Sequence, residues 1–305
     1  MTNKLPQQRQ ITDAVFMVRP TAFRFNEQTA ANNTFQRIDA QNNAAGALNE
    51  WNAFADSLER EGVCVFRFDS PPDTPDAVFP NNWLSLHEDG TMVLYPMFAP
   101  NRRIERQTEI TETLAQITQR TRIIDYTQAE LSGKFLEGTG SMVLDRKNMI
   151  CYAALSERTN LELAEKFCAD LDYNAVLFHT DDGTGAPIYH TNVIMCLGED
   201  FSVICLDAIK YENERFSLRN SIEESGKEII TISLEQMKSF AGNCLQLRGS
   251  DKQRILVMSE RGYASLNYIQ RERLSAHNDK ILRPRLDIIE NCGGGSARCM
   301  LGEVF

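Results

Sequence analysis

The sequence lacks the patterns that mark several common protein classes. Its eight cysteines contain no C-x-x-C pair, and its four histidines show no spacing typical of a zinc site. No apolar stretch approaches the roughly 20 residues that a membrane-spanning helix needs. Residues 1–10 are polar, without a hydrophobic signal region. We therefore expect a protein of the reducing cytoplasm, with no membrane partner and no bound metal.

An excess of positive charge is also absent. The chain carries 32 Lys and Arg against 42 Asp and Glu, so its net charge is −10, and both signs are interspersed. A nucleic-acid partner is not expected, because phosphate binding needs a concentrated basic surface. The sequence does not determine the oligomeric state, and it is compatible with a homo-oligomer.

The chain has the length and composition of an α/β protein. With 305 residues and 42% hydrophobic content it has ample material for a core. Apolar strand patterns, such as residues 14–18 and 63–68, alternate with helical patterns, such as 44–61 and 102–119. The order strand, strand, helix, strand recurs at intervals of a few tens of residues, which indicates repeated modules. Because no linker separates two halves, we expect one domain over residues 1–305.

Three consecutive glycines at 293–295 come shortly before Cys299, close to the end of the sequence. Glycine adopts conformations that other residues avoid and lets a ligand approach the main chain. A cysteine after such a run can be held on a turn with its thiol in a cavity. The alternative interpretation is a loop followed by a small buried thiol. The pattern alone does not choose between them.

Five separated stretches, in the same order, resemble the motifs of the pentein superfamily, which contains arginine deiminases, dimethylarginine dimethylaminohydrolases and glycine amidinotransferases. The stretches are FPNN at 79–82 (family Phe-x-x-Asp), LEG at 136–138 (family Glu-Gly-Gly-Asp), LSERTN at 155–160 (substrate-binding Arg), YHTN at 189–192 (catalytic His) and the nucleophile loop at 293–299. The resemblance implies a five-bladed α/β propeller, built from ββαβ-type modules, with the active site at its centre.

The resemblance also implies a catalytic set of Cys299, His190 and Glu137. Guanidinium and ureido carbons are poor electrophiles, so a thiolate is a suitable nucleophile. His190 would protonate the departing amine and then activate water, and Glu137 would orient His190. Taken singly, His190 could be a structural histidine and Glu137 a turn carboxylate. We interpret Cys292, which lies near the loop, as structural.

Two departures from the family pattern bear on the substrate. Asn82 and Asn192 stand where the deiminases have acidic residues that accept N–H groups from a cationic guanidinium. An amide offers both a donor and an acceptor, which suits a neutral ureido group. A carboxylate would face the ureido oxygen with lone pairs and an uncompensated charge. The departures favour a citrulline-type substrate, and the chain resembles the citrulline utilization hydrolases within the superfamily.

Other candidate substrate-binding residues are less specific. Arg158 is the best candidate to bind the substrate carboxylate bidentately. Asn81 belongs to the same motif as Asn82, and Arg102 and Arg103 lie where some relatives place a second arginine. A solvated helix start is the alternative interpretation of those two arginines. The Asn-rich loop at 26–33 lies outside the motifs, and its sequence does not show whether it covers the site.

The predicted function is hydrolysis of the ureido C–N bond of L-citrulline or a close analogue, through a covalent thio-intermediate on Cys299. The products would be ornithine, ammonia and carbon dioxide, and no cofactor is needed. One alternative is an arginine or methylarginine deiminase or dimethylaminohydrolase. Another, from a different class, is a non-catalytic pentein binding module such as translation initiation factor six. The presence of nucleophile, base and carboxylate at their family positions favours an enzyme.

Overall fold

The computed structural model describes residues 8–37 and 44–305. The strands are β1 (Ala14–Arg19), β2 (Cys64–Asp69), β3 (Leu84–Leu86), β4 (Thr91–Leu94), β5 (Arg122–Asp125), β6 (Met142–Asp145), β7 (Ile150–Leu155), β8 (Asn174–His179), β9 (Met195–Leu197), β10 (Phe201–Ile204), β11 (Glu228–Thr231), β12 (Leu245–Arg248), β13 (Arg254–Val257), β14 (Lys280–Leu282) and β15 (Gly302–Val304). The helices are α1 (Glu27–Ala30), α2 (Ala44–Arg60), α3 (Pro100–Arg103), α4 (Thr108–Ile117), α5 (Gly138–Ser141), α6 (Leu161–Asp170), α7 (Thr191–Ile194), α8 (Glu212–Glu224), α9 (Leu234–Lys238), α10 (Glu260–Ser265) and α11 (Tyr268–His277).

The strands form five three-stranded sheets that share one topology. In each sheet the middle strand is antiparallel to one neighbour and parallel to the other, as β7 is to β6 and β8. A parallel pair needs a long crossover, and here a helix such as α6 supplies it. Each sheet is therefore a ββαβ module. The predicted five-bladed α/β propeller is confirmed.

The first blade joins the two ends of the chain. Strand β1 pairs in parallel with β2, to which helix α2 connects it, and the other edge of β1 pairs antiparallel with β15. The backbone N–H of Arg248 in the fifth blade donates to the carbonyl of Thr12 at 2.8 Å, which links that blade to the first. This pairing brings the residues that precede β15 back to the middle of the molecule.

The crossover helices bury one apolar face against the sheets. In α2 that face carries Trp51, Phe54 and Leu58, at the three- and four-residue spacing of an amphipathic helix. These side chains pack with Val15 of the first blade and Val257 of the fifth in one hydrophobic cluster. This packing holds neighbouring blades together. The centre of the ring is left to the short turns that precede the first strands of the blades.

A short turn precedes the first strand of every blade, and these turns supply the centre of the propeller. They are the 3₁₀ turns Pro80–Asn82 before β3 and Ala297–Met300 before β15, helix α5 before β6, helix α7 before β9 and residues 242–244 before β12. The Pro80–Asn82 turn packs against both α5 and the Ala297–Met300 turn, and α5 packs against α7. Most of the sequence motifs therefore meet in one place.

One local prediction is wrong. The single helix predicted over 102–119 is broken into α3 and α4, because Arg102 and Glu105 turn inward and form a buried ion pair of 2.9 Å. Helix α4 meanwhile directs Ile110 and Leu114 into a hydrophobic cluster that the first and second blades share. The glycine-containing segment Gly138–Ser141 is the short helix α5.

Within residues 8–37 and 44–305, no helix is long and apolar enough to cross a bilayer. The same part of the chain holds no group of three or more His, Cys, Asp or Glu side chains that could bind a metal ion.

Candidate active site

Cys299 lies on the buried turn before β15, and two side-chain amides donate to its sulfur. Asn243 Nδ2 lies 3.2 Å and Asn192 Nδ2 3.4 Å from Sγ. The backbone N–H of Cys299 donates to the carbonyl of Ser296, and Gly294 has a φ of 65°, as the glycine run predicts. These contacts hold the thiol in a defined position, and the residue Cys299 is only 3% exposed.

His190 and Glu137 form a buried hydrogen-bonded pair. Their Nε2 and Oε2 atoms are 2.8 Å apart, and the second carboxylate oxygen accepts from the backbone N–H of Phe98 at 3.0 Å. Each residue directly precedes a central helix, α5 for Glu137 and α7 for His190. Because a carboxylate only accepts, Nε2 carries the hydrogen, and Nδ1 is the basic atom of the neutral ring.

The charges around this pair set its protonation. Burial alone would raise the pKa of Glu137, but Arg158, His190 and Arg102 together lower it to about 2. Burial lowers the pKa of His190 to about 4, since the nearby arginines oppose the stabilising effect of Glu137. These shifts favour an ionised Glu137 and a neutral His190 at neutral pH.

Arg102 is engaged by acceptors on every side. Its guanidinium donates to both oxygens of Glu105 at 2.9 Å, to Asn82 Oδ1 at 2.8 Å and to the carbonyls of Asp76 and Phe79 at 3.3 and 3.2 Å. It borders the cavity, but these contacts leave it as a support for Asn82 rather than as a free cation.

The contact with Arg102 fixes the orientation of the Asn82 amide. A guanidinium only donates, so Asn82 must turn its oxygen toward Arg102 and its Nδ2 away. One hydrogen of Nδ2 is directed to Asn81 Oδ1 at 3.1 Å. Asn82 itself lines the cavity.

Arg158 keeps one edge of its guanidinium toward the site. Nε donates to Asn32 Oδ1 and Nη2 to the carbonyl of Thr29, both at 2.9 Å. Nη1 lies 3.6 Å from Glu137 Oε2, and the group lies over the ring of Tyr189 at 5.0 Å. Arg158 thus connects the carboxylate behind His190 with the loop that covers the site.

Five of the predicted residues line one small cavity. They are Asn82, Arg102, Arg158, His190 and Cys299. Glu137 lies directly behind His190. The arrangement places a thiol, an imidazole and an amide donor around one space, which is the set that nucleophilic attack on a ureido or guanidino carbon requires.

Besides Glu137, three predicted residues lie outside that cavity lining. Asn192 contacts the sulfur of Cys299, and Asn81 lies behind Asn82 and donates to Thr139 Oγ1 at 3.2 Å. Arg103 points elsewhere, since Nε donates to the carbonyl of Met97 and the guanidinium pairs with Glu130. The structure does not bring Arg103 to the site.

Asp76 is a cavity residue that the sequence analysis missed. One oxygen accepts from Asn26 Nδ2 at 2.7 Å and from Thr29 Oγ1 at 2.8 Å, while Oδ1 is buried without a partner among the described residues. Burial raises its pKa, and Arg102 opposes that shift. An aspartate six residues before Asn82 matches none of the motifs, so the sequence offered no signal for it.

The Asn-rich loop covers the cavity. Asn33 Nδ2 donates to the carbonyl of Gly294 at 3.2 Å, and the backbone N–H of Arg37 donates to the carbonyl of Asn291 at 2.8 Å. Together with the bonds from Arg158 to Asn32 and Thr29, these contacts join the loop to the nucleophile segment and to the third blade.

Known structures share this fold. The N-terminal domain of ArgZ covalently bound to a reaction intermediate has a TM-score of 0.76 at 18% identity, over 96% of this chain and 97% of that one. The same domain bound to product, from an arginine dihydrolase of cyanobacteria, gives 0.74 at 19%, with the same coverage. A dimethylarginine dimethylaminohydrolase adduct gives 0.66 at 17%, over 96% and 99%.

Sequence comparison identifies the family. No curated protein sequence matches the chain significantly. The model of the family described as N,N dimethylarginine dimethylhydrolase, eukaryotic, matches residues 19–305. That match spans almost the whole propeller and every motif of the central site. The chain therefore belongs to the N,N dimethylarginine dimethylhydrolase family of the pentein superfamily.

Proposed function

We propose that this protein hydrolyses the ureido C–N bond of L-citrulline or a close analogue. The observation that carries the proposal is the Asn82 amide: Asn82 lines the cavity, and because Arg102 holds its oxygen, Nδ2 is the atom that it can offer to a ligand. A ureido group can place its carbonyl oxygen against that donor. A guanidinium has only N–H groups, so it would leave two donors facing each other at a cost of about 1–3 kcal/mol.

The amino-acid end of the substrate matches two charged groups in the same cavity. Arg158, whose Nη1 lies 3.6 Å from Glu137 Oε2, is the cation that we assign to an α-carboxylate, and Asp76 Oδ1, which has no partner among the described residues, suits an α-ammonium. The two groups together fit a zwitterionic amino acid. In this assignment Arg102 contacts Asn82 rather than the substrate.

In the proposed reaction, Cys299 loses its proton to Nδ1 of His190, and the thiolate attacks the ureido carbon. His190 then gives that proton to the departing δ-nitrogen, which leaves as the amine of ornithine, and a carbamoyl thioester remains on Cys299. Water, deprotonated by His190, attacks this thioester and releases carbamate and the thiol. Carbamate decays to ammonia and carbon dioxide. Glu137 stabilises the imidazolium formed in each step.

Substrate binding assists the proton transfers. Burial and the two arginines lower the pKa of His190, so the neutral ring is favoured before substrate binds. A bound substrate carboxylate next to Arg158 offsets part of that positive charge. The imidazolium is then less disfavoured when the leaving amine needs its proton.

An arginine-type substrate is the second candidate. Glu137 is ionised beside the cavity, and a carboxylate can attract a guanidinium. Among the structural relatives, ArgZ is an arginine dihydrolase and AgrE has been captured with L-arginine. Incubation with citrulline, arginine and methylarginine separates the candidates. Ornithine and ammonia from citrulline support the proposal, whereas citrulline formed from arginine or methylarginine supports the second candidate.

A further inference from the structure

We propose that Asn243 is a further catalytic residue, which together with Asn192 clamps the Cys299 thiolate between two amide donors. This inference rests on the proposed function, because it explains how the nucleophile is stabilised when the substrate brings no positive charge. Neither the motifs nor the family resemblance points to residue 243.

The orientation of the Asn243 side chain is fixed at both ends. Its Oδ1 accepts from the backbone N–H of Arg298 at 3.0 Å, so its Nδ2 must face the other way. There Nδ2 donates to the carbonyl of Asn192 at 2.9 Å and to Cys299 Sγ at 3.2 Å. Both hydrogens are used, and one of them points at the sulfur.

The fold brings the turn of the fifth blade unusually close to helix α7. A Cβ on Gly242 would lie 2.6 Å from the carbonyl oxygen of Val193 and 3.0 Å from that of Ile194. Glycine at 242 permits this approach, and the next residue, Asn243, is fully buried beside the nucleophile. The fifth blade thus contributes to the centre, as the other four do through Asn82, Glu137, His190 and Cys299.

Amide donors suit a thiolate that must attack a neutral group. A cationic guanidinium next to the sulfur would itself favour the thiolate, whereas a neutral ureido group cannot. Hydrogen bonds to the charged form supply that stabilisation without a cation. An aspartate at 243 would keep the acceptor for Arg298 but replace the donor near the sulfur by an oxygen.

The test is the pH dependence of Cys299 alkylation by iodoacetamide, measured without substrate in the wild type, Asn243→Asp and Asn243→Ala. Loss of a hydrogen bond to a charged group predicts at least about tenfold slower alkylation at neutral pH and a midpoint higher by about one pH unit. Asn243→Asp should show the larger shift. Asn278→Ala, which alters a buried asparagine elsewhere, is the control and should keep the wild-type midpoint.

Kinetics and folding complete the test. Because Asn243 does not line the substrate cavity, kcat for citrulline should fall at least about tenfold with KM nearly unchanged. An unshifted midpoint in both variants, with thermal unfolding like that of the wild type, would overturn the clamp. A slower reaction without a midpoint shift would overturn it too, by showing that Asn243 only supports the turn. A shifted midpoint in a protein that does not hydrolyse citrulline would support the clamp and reject the proposed substrate.

Discussion

Replacing Asn82 by aspartate tests whether the Asn82 amide recognises the ureido group of the substrate. The variant keeps an oxygen for Arg102, which now lies 2.8 Å from Asn82 Oδ1, but puts a second oxygen where Nδ2 was. That oxygen would face Asn81 Oδ1, at present 3.1 Å from Nδ2, and the carbonyl oxygen of the substrate. An unpaired buried polar group costs about 1–3 kcal/mol. We therefore expect kcat/KM for citrulline to fall by roughly ten- to a hundredfold.

The assay compares citrulline and arginine on the wild type and on Asn82→Asp. Binding of arginine should improve in the variant, because the new carboxylate accepts N–H groups from a cation. Asn174→Asp makes the same chemical change on an exposed position of β8 and should leave both substrates unaffected. If Asn82→Asp retains full citrulline activity, or if the wild type prefers arginine, the amide does not select the substrate.

Three further predictions concern proton transfer and the amino-acid end. His190→Asn and Glu137→Gln should each lower kcat by at least about two orders of magnitude. His179→Asn, at an exposed position, should leave kcat unchanged. Loss of activity in His179→Asn with full activity in His190→Asn would contradict the role given to His190. Because the pKa of His190 is lowered to about 4, kcat/KM should stay high as pH falls and drop only near pH 4, where His190 becomes protonated. A fall in kcat/KM centred near pH 6.5 would refute this prediction. Arg158→Ala should raise KM for citrulline at least about tenfold, and Arg103→Ala should not; equal KM values would remove Arg158 from substrate binding.

The sequence predicted the parts of the site that belong to local motifs. Cys299, His190 and Glu137 each lie at or beside a short turn before the first strand of a blade, so a motif found in the sequence also had a defined place in the ring. The repeated order of strands and helices indicated the modules themselves. Neither inference needed contacts between distant segments.

The remaining features depend on long-range contacts. Arg102 was a candidate second arginine for the substrate, with a solvated helix start as the alternative, and no local pattern encodes the buried acceptors from several segments that engage it. Asp76 has one oxygen held by Asn26 and Thr29, while the other has no partner within the described part of the chain. Asn243 reaches the sulfur only because Gly242 lets two blades touch. The spacing of residues along the sequence does not show which distant segments come into contact.

The most direct test of the account is product formation from L-citrulline by the wild type and by Cys299→Ala, with mass spectrometry of the wild type during turnover. We predict ornithine and ammonia in equal amounts, a carbamoyl adduct on Cys299, and no turnover by Cys299→Ala. Cys292→Ala, which alters a cysteine that does not line the cavity, should remain active. Comparable activity in Cys299→Ala, or no ornithine from citrulline together with citrulline formed from arginine, would contradict the account.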